Sequence, residues 1–343
     1  MLRWYRRHRR DLPWRRTRDP YAIWVAETML QQTRAETVLR YFAAFLERFP
    51  TVAALARAPQ SAVLTLWSGL GYYSRARHLH RAAHRVLTRY DGRIPADPVA
   101  LRTLPGVGRY TAGAVASIAF GRVEPVLDGN VARVLARWFG VRGNPRASTV
   151  QATLWGLATA LVHRRAPGDW NQALMELGAT VCTPRRPSCG RCPIRSECAA
   201  RRERAVDAIP GRTPRPATRH VRRAAVIVER RSRVLLQRQE TGRLLRGLWE
   251  FPTTDARGHE RDEDAARRLL GELAHGSGAL RARGRILHTI TNRRIETAVF
   301  SIRLDGRGAR SAGTARWFRP DELARVPLSA LGLRMTKLLA AQT

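Results

Sequence analysis

LPGVGRYTAGAVASIAFG, residues 104–121, reads as a tight turn that opens a helix. Pro105, Gly106 and Gly108 interrupt one helical stretch. The next one carries Ala112, Gly113, Ala114, Ala116 and Ser117, all small enough for close packing. A glycine-rich turn at a helix start exposes unpaired backbone N–H groups at the positive end of the helix dipole, where they can hold one phosphate. Gly106, Val107 and Gly108 are the candidates for that contact. It would position the chain on DNA without reading base sequence. An ordinary helix–turn–helix connection would carry the same Pro-Gly-x-Gly, so the surrounding segments decide between the two.

Upstream, residues 21–90 read as helical. YAIWVAETMLQQTRAETVLRYFAAFLERF has apolar positions at three- and four-residue intervals and no internal Gly or Pro. SAVLTLWSGLGYYSRARHLHRAAHRVLTRY continues in the same style, broken only at Gly69 and Gly71. Further helices are predicted on either side of the turn over 99–140, and one or two more over 148–181. Residues 1–202 thus form an all-α unit. The texture changes at 203–222, ERAVDAIPGRTPRPATRHVR, which has three prolines, little periodicity and the character of a linker. Beyond it, AAVIVERRSRVLLQRQ alternates β-branched residues with charge around a short turn at Arg230–Arg233, a hairpin pattern. RILHTITNRRIETAVFSIRL is a second strand pair, and EDAARRLLGELA a helix between them. Residues 223–343 form a smaller α+β domain, and no fixed-period repeat occurs.

The charge balance limits the partners. Of 343 residues, 62 are basic and 27 acidic, a formal charge of +35, and Lys337 is the only lysine. With 44% hydrophobic residues the chain is no disordered basic tail. A folded chain this basic calls for a polyanion, nucleic acid before a membrane surface. No apolar run approaches the ~20 residues of a spanning helix. The start, MLRWYRRHRRDLPWRR, lacks the apolar stretch of a signal peptide. A soluble, unprocessed, cytoplasmic protein is expected, associated with the nucleoid if bacterial.

All four cysteines, Cys182, Cys189, Cys192 and Cys198, fall in one window with spacing C-x6-C-x2-C-x5-C. Unrelated core cysteines would not cluster in this way, and disulfides do not suit a reducing compartment. A four-thiolate metal site remains. Zinc usually takes two Cys-x2–4-Cys knuckles and this window has one; four thiolates equally suit an iron–sulfur cluster. Spacing alone leaves both open. Arg185, Arg186, Arg191 and Arg195 in the same loop could meet phosphates.

Taken together, LPW (12–14), WVAETMLQQT (24–33), LWSGLGYYSRARHLHRAA (66–83), LPGVGRYTAG (104–113), LDGNVARVLAR (127–137), NQALMELGATVCT (171–183) and GLWEFP (247–252) resemble the helix–hairpin–helix DNA glycosylase superfamily, and within it the adenine DNA glycosylases of the MutY type. The matching stretches cover most of residues 12–200 and parts of the rest. The resemblance implies an all-α helix–hairpin–helix domain with a [4Fe–4S] cluster on the four cysteines. It also implies a Nudix-like α+β domain after it, and double-stranded DNA with an adenine mispair as the partner of a monomeric enzyme.

The chemistry is demanding. A base must leave the stack before its bond to the sugar is cut. Adenine leaves poorly unless a ring nitrogen is protonated, and the sugar cation needs a carboxylate. Glu27 lies in an apolar stretch where a buried acid would stay protonated; on residue pattern alone it could be a surface glutamate. Asp128 precedes VARVLARWF as a helix N-cap would, which is compatible with catalysis. The resemblance makes Glu27 the general acid and Asp128 the stabiliser of the cationic centre, with Tyr110 and Asn130 lining the pocket. It puts Gln32 and Tyr72 at wedge positions, although two adjacent tyrosines at 72–73 also fit a core. Trp14, Arg15, Leu30 and Gln172 fall around the extruded adenine, and the Gln172 amide suits a purine edge.

Relatives that nick the strand use a lysine. Here Tyr110 stands after the Gly-x-Gly turn and Ala132 after Asp128, so lysine-dependent lyase chemistry is not expected. The second domain lacks the Gly-x5-Glu-x7-Arg-Glu-x2-Glu-Glu array of a working Nudix hydrolase. Its lesion-contact loop, commonly Phe-Ser-His, reads Ile290-Thr291-Asn292 after His288, keeping a hydroxyl at Thr291 and losing the aromatic and the histidine. A monofunctional glycosylase that removes adenine opposite 8-oxoguanine or guanine is the expected function. The alternatives are a relative acting on another mispair or damaged base, a non-catalytic mispair-binding protein, opposed by the presence of both Glu27 and Asp128, and a Nudix-type hydrolase, opposed by the missing acids.

Overall fold

The helix Pro20–Leu30 anchors the first half of the chain in the computed structural model, which describes residues 1–211, 217–242, 244–273, 278–304 and 314–340. Pro20 takes the first helical position, and Asp19 accepts from the N–H groups of Tyr21 (3.1 Å) and Ala22 (3.2 Å). Every residue from Tyr21 to Met29 is buried. A helix apolar all round belongs in the middle of a core, and Glu27 is carried there with it. Pro20–Leu30 packs on the helix Arg109–Phe120. That helix packs on Pro167–Thr180, which in turn packs on Gly129–Phe139. At the last contact Gly178 is the critical residue, because a Cβ there would lie 2.6 Å from the Cβ of Asn130.

The sequence pattern runs through residues 21–49 without Gly or Pro, yet the helix stops at Leu30 and the next begins at Ala35. Gln32 sits at φ 57° in the break, and the Gln31 amide donates to the Thr111 hydroxyl at 3.2 Å. A tertiary contact thus overrides local helix propensity, at a strained position of the kind that gathers at functional sites.

By contacts the chain divides into Met1–Arg57 with His78–Arg215, and Ala58–Arg77 with Pro216–Thr343. The second unit is built on a sheet of seven strands among the described residues: β1 (Arg219–Arg230), β2 (Arg233–Arg238), β3 (Trp249–Glu250), β4 (Thr253–Asp255), β5 (Arg281–Ile290), β6 (Arg293–Arg303) and β7 (Ala315–Phe318). The order is β3-β2-β1-β6-β5, with β4 also on β1 and β7 on β2. β1 and β6 run parallel, and the remaining strand pairs are antiparallel. β1 already begins at Arg219, inside the stretch expected as a linker. Alternate residues of β1 serve two cores. Ala224, Val226 and Val228 meet the helix Asp262–Glu272 through Ala265, Ala266 and Leu269. Ala225 and Ile227 share the other core with Leu331 and Met335 of Ala330–Ala340. Residues 58–77, helical over Gln60–Trp67 as predicted, belong with this sheet unit. The Tyr73 hydroxyl donates to Leu328 O at 3.3 Å and that of Thr65 to Arg325 O at 3.4 Å. No helix among the described residues is long and apolar enough to cross a membrane.

Candidate active site

An open cleft of about 1060 Å³ in the first unit is walled by Trp14, Arg15, Glu27, Leu30, Gln32, Gly106, Gly108, Tyr110, Asp128, Asn130 and Gln172. These come from widely separated segments, all of them singled out by sequence. Glu27 is 5% exposed. Its Oε2 accepts from the Tyr110 hydroxyl at 2.6 Å, and the Tyr110 hydroxyl oxygen also lies 3.2 Å from Met175 Sδ. Burial pushes the Glu27 carboxyl up to about 7; the Tyr110 hydrogen bond pulls down, the Asp128 charge adds to the rise, and Arg15 opposes it. Glu27 is therefore the buried acid and not the surface glutamate that residue pattern alone allowed.

Asp128 caps the helix Gly129–Phe139, accepting from Val131 N–H at 2.7 Å. Its other oxygen accepts from the Asn130 amide at 3.0 Å. Burial raises its pKa, against the pull of these two donors. The Asn130 carbonyl oxygen accepts from Arg133 at 2.9 Å, and the same guanidinium reaches Gly178 O and Cys182 O, both at 2.7 Å. One arginine thus ties the capping carboxylate's partner to the start of the cysteine loop.

The sequence reading missed Glu176, which is fully buried at the cleft wall. Arg10 donates to it from its backbone (2.9 Å) and guanidinium (3.0 Å), and Arg15 at 2.8 Å. Burial alone would raise this carboxyl, but the two arginines outweigh it and hold it down at about 2. Glu176 is four residues past Gln172, hence on the same helix face, and that spacing was the available signal. The cleft therefore holds one carboxyl poised near neutrality and one fixed as an anion. Trp14 is locked edge-on against Phe42 at 5.4 Å.

The glycine-rich turn has the expected form. Gly106 lies at φ 78°, where a side chain would also strike His78. Val107 is buried. Gly108 precedes Arg109–Phe120, so the first N–H groups of that helix are free of intrahelical partners. Arg109 stacks over Trp155 at 3.8 Å from the ring centre.

Two of the singled-out residues belong to the second unit. Tyr72 is 48% exposed at φ 48°, with the Arg75 guanidinium 5.3 Å from its ring centre. Its neighbour Tyr73 is the core aromatic of the pair, 4% exposed. Thr291 tops the β5–β6 hairpin at φ 55°, and its hydroxyl donates to Ile290 O at 2.7 Å. Asn292 donates to Ala217 O at 3.1 Å. His288 is an ordinary strand residue of β5; burial, with Arg223 and Arg334, lowers its pKa.

The four cysteines line one small pocket with Val134, Leu177, Val181, Ile194 and Val206. Burial pushes Cys192 up to about 11, against the character of a reactive thiol. Arg137 donates to Cys182 Sγ at 3.3 Å. Four cysteine sulfurs around one apolar pocket are the donor set that an iron–sulfur cluster takes.

Comparison with known proteins follows the same division. The family described as HhH-GPD superfamily base excision DNA repair protein matches residues 25–159, the iron-sulfur binding domain of endonuclease III matches 182–198, and the NUDIX domain matches 223–339. The chain is 36% identical to the adenine DNA glycosylase of Homo sapiens, over 100% of this chain and 73% of that protein. It is 39% identical to the adenine DNA glycosylase of Mus musculus, over 96% and 75%. Among solved structures it is similar to a thermostable thymine-DNA glycosylase, at 34% identity and TM-score 0.54, covering 59% of this chain and 93% of that one. The helical part is thus a helix–hairpin–helix glycosylase fold with a [4Fe–4S] loop, followed by a smaller Nudix-like α+β domain.

Proposed function

Because the chain belongs to the adenine DNA glycosylase family, we propose that it excises adenine mispaired with 8-oxoguanine or guanine from duplex DNA by acid-assisted hydrolysis of the N-glycosidic bond. The observation that carries this reading is Glu27, a buried carboxyl held near neutrality and hydrogen-bonded to Tyr110 at 2.6 Å in the same cleft as Asp128. The relatives named for adenine match 100% and 96% of the chain, whereas the thymine-DNA glycosylase covers 59%, which favours adenine over another mispaired base.

Glu27 delivers its proton to a ring nitrogen of the extruded adenine, so the base departs neutral. Tyr110 keeps the carboxyl aimed. Asp128, held by Val131 N–H and Asn130, faces the sugar as positive charge develops at its anomeric carbon, and stabilises it by charge or by transient attachment. Water completes the hydrolysis. Trp14, Arg15, Leu30 and Gln172 surround the base, Glu176 fixes Arg15, and Gln32 fills the space the base leaves. Gly106, Val107 and Gly108 hold a phosphate through backbone N–H groups. Cys182, Cys189, Cys192 and Cys198 would hold the cluster, and its bonds to their sulfurs would fix the loop and its arginines. Tyr110 stands where strand-nicking relatives keep a lysine, so the product is an intact abasic strand. The enzyme works as a monomer in the cytoplasm.

The test is single-turnover excision on labelled duplexes carrying adenine opposite 8-oxoguanine, guanine, cytosine or thymine, with and without hot alkali. Alkali-dependent cleavage opposite 8-oxoguanine and guanine is expected. Binding without any product would leave a mispair-binding protein.

A further inference from the structure

One end of the sheet carries positive charge that its own unit does not neutralise. In the parallel β1–β6 ladder Arg219 stands opposite Arg293, and His220 opposite Arg294. Like charges facing each other across a ladder cost stability. Successive residues face opposite sides, so one side of this strand end carries the Arg219–Arg293 pair and the other carries Arg294 beside His220. All four residues are exposed. Farther along the sheet Arg222 of β1 and Arg285 of β5 pair with Asp262, and Arg285 also with Glu296 of β6. Among the described residues Arg219, Arg293 and Arg294 form no ion pair, although acidic residues serve their neighbours a turn of the strand away.

The backbone under these charges is fixed. Asn292 ties the hairpin tip to Ala217 O, and Arg219 N–H donates to Asn292 O at 2.9 Å. Thr291 is held at φ 55°, uncommon for a β-branched residue. Beside the tip lies a groove of about 630 Å³, lined by His220, Arg222, Arg285, Leu287, Arg294 and Glu296. A strand end held by these hydrogen bonds, with guanidinium groups outside any ion pair on both sides, lacks only an anion with regularly spaced charges. Guanidinium groups grip phosphate oxygens in pairs.

We propose that Arg219, Arg293 and Arg294, with His220, form a DNA-phosphate clamp at the β1–β6 strand end, blind to sequence and to the lesion. This rests on the reading of the chain as a DNA glycosylase. The charge stands at the tip where a lesion-reading loop was expected, and it supplies affinity in place of base discrimination.

The experiment measures binding by fluorescence anisotropy over a range of salt, in the Glu27→Gln background so that no base is removed. One duplex carries adenine opposite 8-oxoguanine and the other is fully paired. Arg293→Ala with Arg294→Ala is expected to lower the slope of log K against log salt by about 1.8, from about 0.9 per phosphate contact, equally on both duplexes. Arg231→Ala with Arg233→Ala, at the β1–β2 turn, leaves the slope unchanged. Removing the Arg219–Arg293 repulsion leaves the Tm of the free protein equal or higher, which shows that the variant is folded; should alanine lower it, Arg293→Gln with Arg294→Gln carries the same test. An unchanged slope in the folded variant overturns the clamp. So does a loss confined to the 8-oxoguanine duplex, which would make the tip a lesion reader. If the parent excises no adenine, the proposed activity fails while the slopes still decide the clamp.

Discussion

Glu27→Gln tests the acid through stability, independently of any substrate. The folded protein holds this carboxyl at about 7, against an ordinary value of 4.5. A raised folded value means that the native state binds the proton more tightly than the unfolded chain. Native stability is therefore complete below about pH 4.5, falls as pH rises, and is fully reduced above about pH 7. At about 1.4 kcal/mol per pH unit the reduction is about 3 kcal/mol. Glutamine keeps the shape and still accepts from Tyr110, but never carries the charge. The variant is thus expected to be about 3 kcal/mol more stable than its parent near pH 8, and within about 1 kcal/mol of it near pH 5. Urea unfolding of both proteins at the two pH values reads this difference directly. An equal difference at both pH values would refute the reasoning, because it would mean that Glu27 titrates as an ordinary glutamate and is no reservoir for the proton that adenine needs. Such a gain in stability on loss of function is expected of groups held in costly states for catalysis.

The other expectations use the same geometry. Single-turnover excision should fall tenfold per pH unit above about pH 7, and should fall again in acid as Asp128, whose pKa burial raises, takes up a proton; Tyr110→Phe removes a hydrogen bond that lowers the Glu27 value, so the alkaline limb should move to higher pH, and a limb moving lower would contradict the assignment. Asp128→Asn keeps a good helix cap, so stability should stay within about 1 kcal/mol while excision is lost; surviving excision would reduce Asp128 to its cap. Arg15→Ala leaves buried Glu176 with Arg10 alone and should cost roughly 3 kcal/mol at neutral pH. Because Glu176 is held low, its contribution to stability is complete above the unfolded value of 4.5 and is lost as pH falls from there toward about 2; in Arg15→Ala the loss should start at the same pH but be smaller and be complete at a higher pH, as acid titration of unfolding would register.

The candidate residues of the first unit left local marks, but it was the family resemblance that made Glu27 and Asp128 more than a surface glutamate and a helix cap. Glu27 interrupts an apolar run, Asp128 precedes a helix, Gly106 and Gly108 punctuate a turn, and four cysteines share one window. The break at Gln31–Arg34 was not legible. It is imposed by a contact with Thr111 from far along the chain, and nothing in QQTR announces it. Glu176 was hidden for a related reason: its meaning lies in Arg10 and Arg15, which reach it only once the fold has formed. The grouping of residues 58–77 with the sheet is likewise a property of packing, since their helical periodicity would suit either unit. Thr291 was read by hydroxyl chemistry alone, and the hydroxyl is turned back onto its own hairpin.

Gly178 offers nothing to a substrate, yet it stands against Asn130, the residue that orients Asp128. Any side chain there must push Asn130 or part the two helices, and both movements reach Asp128. In a collection of inherited variants, such a glycine behaves like an active-site residue while appearing interchangeable to any ranking based on charge or polarity. Harm to the enzyme therefore follows how tightly the backbone must close around the cleft as much as it follows the chemistry inside it.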